Sequence, residues 1–465
     1  MESAAPGPPR RPRDLVAATP ETRNRYVDLL RVVSIGAVVL GHWTMAVLAY
    51  RDGKFTGSNL LEINPNLQIV TWVFQVMPLF FIIGGFTNAG SWDSALRRGQ
   101  RYAEWLRGKS ARLIRPAIWF VAFWTAIPAL GVTLGLLPAS TARLGGGEVA
   151  LPLWFLAVYV LAIAAIPALV TAHHRYGGAR VLAALVIAAF IVDNLHFGAH
   201  VGGVGALNYA FVWLAFMEIG YLWREGAFDD RRWLPWAMAA GGLGVLAALV
   251  TWFDYPSSMV GLTHAVRSNV QPPTLALLAL GCWQLGACLV FQAPANRYLQ
   301  RRRPWTAVVV ANSIVMTVYL WNMSAVVLAA LLLFRTGLAT QPEALSTAWW
   351  LLRPVWWLAC AICLLPFLFS FRWAERPPAA PPSPARPGGV QAIAILAGTI
   401  AAGAGFAVLA AEAFPVPGSV LLEPTVGVVL VAVGALLVRV DPVAPLRASD
   451  RPGWRLRRRT LRRPG

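Results

Sequence analysis

The chain has 465 residues, 57% of them hydrophobic and only 13% charged, and its 40 Lys and Arg outnumber 21 Asp and Glu for a net charge of +19. Long apolar runs leave no room for a large soluble domain, and they are too long for the short alternating strands of a membrane β-barrel. The basic charge sits mostly in loops between apolar runs, which reads as an orientation signal with anionic lipid at the basic loops, and not as a nucleic-acid surface.

Twelve apolar segments are predicted as spans, over 27–50, 67–89, 116–137, 151–170, 180–195, 205–223, 233–253, 273–293, 306–334, 346–371, 391–411 and 419–439. With a cytoplasmic N-terminus, the inside segments hold nearly all the arginines, among them the run Arg97 to Arg115 and Arg301 to Arg303. The outside segments hold only Arg51, Lys54, Arg143, Arg267 and Arg335. This bias predicts an all-α polytopic transmembrane helical bundle with both termini cytoplasmic. The predicted organisation is a basic Pro/Arg-rich tail (1–25), a ten-span unit (26–376), a Pro/Ala-rich linker (377–390), a two-helix accessory hairpin (391–440) and a basic tail (441–465). Lysine is almost absent (Lys54 and Lys109), a GC-rich coding signature that points to a bacterial source, and with the apolar spans to a multi-pass protein of a bacterial inner membrane.

The first segment carries Asp28, Arg31 and His42. Eleven helical steps of about 100° put Arg31 and His42 on nearly one face, about 16 Å apart, with His42 near mid-membrane. Ionisable side chains inside a span are candidate functional groups by default. His42 is read either as a base or as a structural histidine bonded to a neighbouring helix. Arg31 is read either as a phosphate or carboxylate clamp or as a partner of Asp28.

The second segment contributes Gln75, Pro78, Gly84, Gly85 and Asn88, suggesting close packing or a cavity. Arg112 and Arg115 enter the third, where they can lean over the same mouth as Arg31. Glu218 in the sixth either pairs with an inner-side Arg or serves a site. Asn312, Ser313, Tyr319 and Asn322 in the ninth are interhelical hydrogen-bonders. Asp193, His196 and His200 are expected in an exposed polar loop, and His173, His174 and His264 in solvent. Cys282, Cys288, Cys360 and Cys363 are expected to be small core residues, and no metal site is expected.

These marks resemble acyltransferase family 3, the polytopic membrane acyltransferases. The resemblance rests on Arg31 and His42, ten residues between them, within the first span after Tyr26-Val27-Asp28. It extends to Met77-Pro78-Leu79-Phe80-Phe81 through Gly84-Gly85-Phe86, to Arg112-Leu113-Ile114-Arg115-Pro116 and to Pro152-Leu153-Trp154-Phe155-Leu156. It closes on Tyr319-Leu320-Trp321 and Glu375-Arg376-Pro377. Members often carry a His after the Tyr-Leu-Trp; here Asn322 stands there, leaving His42 as the base among these marks. The resemblance implies transfer of an acyl group, often acetyl, from cytoplasmic acyl-CoA to a hydroxyl of a cell-envelope glycan, glycolipid or small-molecule acceptor. On this reading Arg31, Arg112 and Arg115 bind the CoA phosphates, and His42 acts as base or acyl carrier. Asp28, Gln75, Asn88, Trp154, Glu218, Tyr319 and Asn322 shape the pocket. A proton-coupled secondary transporter is the rival from another class.

Overall fold

The computed structural model describes residues 23–262, 267–376, 387–418 and 421–444. His264, Arg386, most of the linker and the greater part of both basic tails lie outside the described residues. Among those described, eleven helices are long and apolar enough to cross a membrane, and a twelfth apolar helix has 17 residues. The chain is a polytopic helical membrane protein.

Helix α1 (Arg25–Met45) begins where the Asn24 side chain accepts from the backbone of Tyr26 and Val27, both at 3.1 Å. It does not run on to Tyr50 as predicted. Strand β1 (Ala46–Arg51) follows and pairs antiparallel with β2 (Lys54–Asn59). Between them Asp52 and Gly53 both take positive φ, 51° and 77°. An Asp-Gly pair between β-branched and aromatic residues makes a tight hairpin turn, a signal that the apolar run hid. His42 consequently lies in the last turn of α1 and not at the middle of a span.

Short turns over Leu60–Ile63, Pro65–Val70 and Thr71–Phe74 lead into α2 (Met77–Arg97). Then come α3 (Tyr102–Thr133), an unpredicted glycine-containing α4 (Ala139–Ala150), α5 (Leu153–Tyr176), α6 (Gly178–Asp193), α7 (Asn208–Arg224), α8 (Leu234–Trp252) and α9 (Leu275–Leu299). The predicted ninth span is broken in two, α10 (Arg302–Asn312) and α11 (Val315–Leu333). At the break Asn312 Nδ2 donates to the Asp28 carbonyl at 3.0 Å, which fastens it to α1. Helix α12 (Thr347–Phe371) precedes the hairpin of α13 (Gly389–Glu412) and α14 (Leu422–Val438).

The core seam is α2 against α7. A Cβ on Gly85 would stand 1.9 Å from the Met217 carbonyl oxygen, and one on Gly220 would stand 1.9 Å from that of Ile82. Gly85 therefore serves backbone contact, while Gly84 makes room for the Tyr159 side chain, whose hydroxyl would lie 3.0 Å from a Cβ there. Beside it the rings of Phe81 and Trp213 stack at 4.2 Å. The final hairpin packs along α5 and α3: Ser110 and Thr399 hydroxyls pair at 3.0 Å, and the Phe120 and Phe414 rings meet at 6.0 Å. The four cysteines are free, and Cys360 and Cys363 are buried.

Candidate active site

Helix α1 meets α11 at His42. Its Nδ1 stands 3.0 Å from Asn322 Oδ1. The Asn322 amide nitrogen is committed to the Tyr319 carbonyl at 2.5 Å, so the oxygen is the atom turned to the imidazole. That pattern puts the proton on Nδ1, which donates, and leaves the Nε2 lone pair without a hydrogen bond among the described residues. Trp43 Nε1 donates to the Asn322 backbone carbonyl at 3.0 Å, holding the two helices in register. Tyr319 is spent on structure: its hydroxyl donates to the Pro152 carbonyl at 2.7 Å.

At the basic end of the same helix, Arg31 Nη1 binds Asp28 Oδ1 at 3.0 Å, and Asp28 also pairs with Arg23. Arg112 and Lys109, one turn apart on α3, both act electrostatically on Arg31. Lys109 Nζ stands 5.7 Å from the Trp105 ring centre. Tyr159 on α5 lies within reach of Arg31 and Arg112, and its hydroxyl accepts from Asn88 Nδ2 at 3.2 Å. Lys109 and Tyr159 do not stand out in the sequence, where one is a lysine among arginines and the other one aromatic among many. With Arg23 these make four cations within electrostatic reach of one another, and two carboxylates, Asp28 and Glu375, offset only part of that charge, so the cluster repels itself unless an anion lies among it.

Glu375, just past α12, accepts from the backbone of Met316 at 3.2 Å and from the backbone and hydroxyl of Thr317. It thus closes the N-terminus of α11, the helix that carries Asn322. Arg112 lies within its electrostatic reach. Along α1, an apolar groove of about 430 Å³ is lined by Val32, Ile35, Val39 and Trp43 against Ile314 and Val318. Its lining suits hydrocarbon.

Other predicted site residues lie elsewhere. Arg115 is 6% exposed, and its Nε donates to the Asp441 carbonyl at 3.0 Å, so it is bound to the segment after α14. Gln75 Nε2 donates to the Met259 carbonyl at 2.8 Å and fastens a loop. Trp154 packs at 6.1 Å from the Trp213 ring. Glu218 is fully buried and pairs with His173 at 2.5 Å, not with an arginine. His173 also meets Glu225 at 2.8 Å, and His174 meets the Tyr221 hydroxyl at 2.9 Å. His173 is therefore buried and not in solvent, because the buried carboxylate needs a partner, whereas His174 is exposed as expected. Asp193 is likewise not in an exposed loop: it is 2% exposed and accepts from Asn208, Tyr255 and the Leu275 backbone. No cluster of three His, Cys, Asp or Glu that could hold a metal occurs among the described residues.

The family model described as an acyltransferase domain matches residues 24–373. No curated protein and no solved structure matches the chain.

Proposed function

The chain belongs to this acyltransferase family, and on that premise we propose that it moves an acyl group, acetyl in the simplest case, from acyl-CoA to a hydroxyl of a cell-envelope glycan, glycolipid or similar acceptor. The basic end faces the cytoplasm of a bacterial inner membrane in this reading. Arg31, Arg112 and Lys109 receive the CoA phosphates, as guanidinium and ammonium groups facing one another would. The donor chain then runs along α1 toward His42.

The single observation that carries the reading is the His42–Asn322 pair. With its Nδ1 proton held by Asn322, His42 keeps Nε2 free to take the proton of an acceptor hydroxyl as that oxygen attacks the thioester carbonyl. The C–S bond breaks, the ester C–O bond forms, and CoA leaves as the thiol after gaining a proton from the imidazolium. Asn322 orients the ring through both steps, as the third member of a nucleophile–base–orienter array does.

The test is transfer of radiolabelled acetyl from acetyl-CoA to a bacterial envelope extract by the purified protein in detergent. Label should reach the extract with the wild type. Undiminished transfer by His42→Ala would overturn the reading.

A further inference from the structure

Arg353 lies on the second turn of α12, where the Ser346 side chain closes the first by accepting from the Trp349 backbone at 3.2 Å. It is 7% exposed, and its guanidinium lies 3.4 Å from the centre of the Trp349 ring. Among the described residues no carboxylate pairs with it and no oxygen accepts from it. None of its nitrogens is among the sealed, unbonded polar atoms. A cation held inside a membrane-spanning helix without a counter-ion is unfavourable, and such residues mark the path of a ligand.

Its place in the fold indicates which ligand. Trp356, three residues on and on the same face, donates from Nε1 to the Trp43 carbonyl at 3.0 Å, one residue from His42. Trp356 also stacks at 5.5 Å on Phe334, just past the end of α11. Arg353 therefore stands at the His42 end of α1, about 30 Å along α12 from Glu375 and the Arg31–Lys109–Arg112 cations. The donor phosphates of the proposed reaction belong to that other end.

We propose that Arg353 is the acceptor-side anion clamp. Its guanidinium, braced on Trp349, takes an oxyanion carried by the acceptor, a phosphate or carboxylate, so that the acceptor hydroxyl meets His42. A planar fork of N–H donors suits such a group, and the ring fixes the plane of the fork. The acceptor is then an anionic, hydroxyl-bearing molecule. This assignment rests on the acyl-transfer reading.

The full-length protein in detergent, first saturated with CoA to occupy the donor cations, is titrated with inorganic pyrophosphate and followed by tryptophan fluorescence. Saturable binding is expected, weakened about tenfold or more in Arg353→Gln and less in Arg353→Lys, with CoA affinity equal in all three. Equal pyrophosphate affinity in wild type and both variants overturns the clamp. If Arg353→Gln does not fold, Arg353→Lys alone carries the comparison. The titration is repeated in phosphatidylglycerol and phosphatidylcholine nanodiscs. Binding abolished by phosphatidylglycerol alone assigns the cation to a lipid headgroup and overturns the acceptor role. If wild type binds no CoA, the donor reading falls. Pyrophosphate binding lost in Arg353→Gln but kept in Arg31→Ala then still supports the anion site.

Discussion

His42 on α1 and Asn322 on α11 share a hydrogen bond of 3.0 Å, and the Asn322 amide is fixed by the Tyr319 carbonyl so that its oxygen is the atom offered. Through this contact Asn322, which follows Tyr319-Leu320-Trp321, selects the tautomer of His42.

Replacing His42 by Ala should lower kcat by about 10²–10⁴, the ordinary contribution of a positioned general base. Asn322→Ala should lower kcat by a smaller factor and leave the KM for acyl-CoA unchanged. Asn322→Asp, which keeps the acceptor oxygen, should recover most of the lost rate. Steady-state kinetics on the three variants checks the order.

The cations proposed to bind the donor predict a different signature. Arg31→Ala and Arg112→Ala should each raise the KM for acyl-CoA by about tenfold, the loss of one charge-assisted contact. The effect should shrink as ionic strength rises. Arg115→Ala should leave that KM unchanged, because its guanidinium is bound to the Asp441 carbonyl. Its effect should appear in thermal unfolding of the purified protein.

Glu375→Gln should lower both stability and turnover. It weakens the cap on Met316 and Thr317 from which α11 carries Asn322 to the site. Loss of a charged cap is worth about 1–2 kcal/mol. Unfolding midpoints and kcat measured together check that the two fall in step.

The buried His173–Glu218 pair predicts a stability effect without a site effect. His173→Ala leaves the fully buried Glu218 carboxylate without that partner, which should destabilise the protein by about 3–5 kcal/mol. CoA affinity at low temperature should not change. A titration and a melting curve on the same preparation separate the two.

Much of this is legible in the chain. Apolar length and the loop arginines alone predict a polytopic helical bundle, because an unbonded backbone is intolerable in lipid. The motif series around Arg31, His42 and Arg112 points to the family that the domain match shows. Helix breaks are less legible. Ala46 to Tyr50 is as apolar as a span, and only the Asp52-Gly53 turn separates hairpin from helix. The break before Val315 depends on Asn312 reaching the Asp28 carbonyl on another helix.

The sequence by itself determined what has local cause: which segments enter the membrane, which loops are basic, and which residues are too unfavourable in a span to be idle. Only the tertiary structure decided partnership. It assigned Arg115 to the segment after α14, Glu218 to His173, Lys109 and Tyr159 to Arg31, and Asn322 to His42. Hydropathy and spacing along one helix specify a face, but the group that face meets lies far along the chain, 280 positions for His42 and Asn322 and 326 for Arg115 and Asp441. Helix-on-helix contact such as that of Gly85 with Met217 brings such groups together.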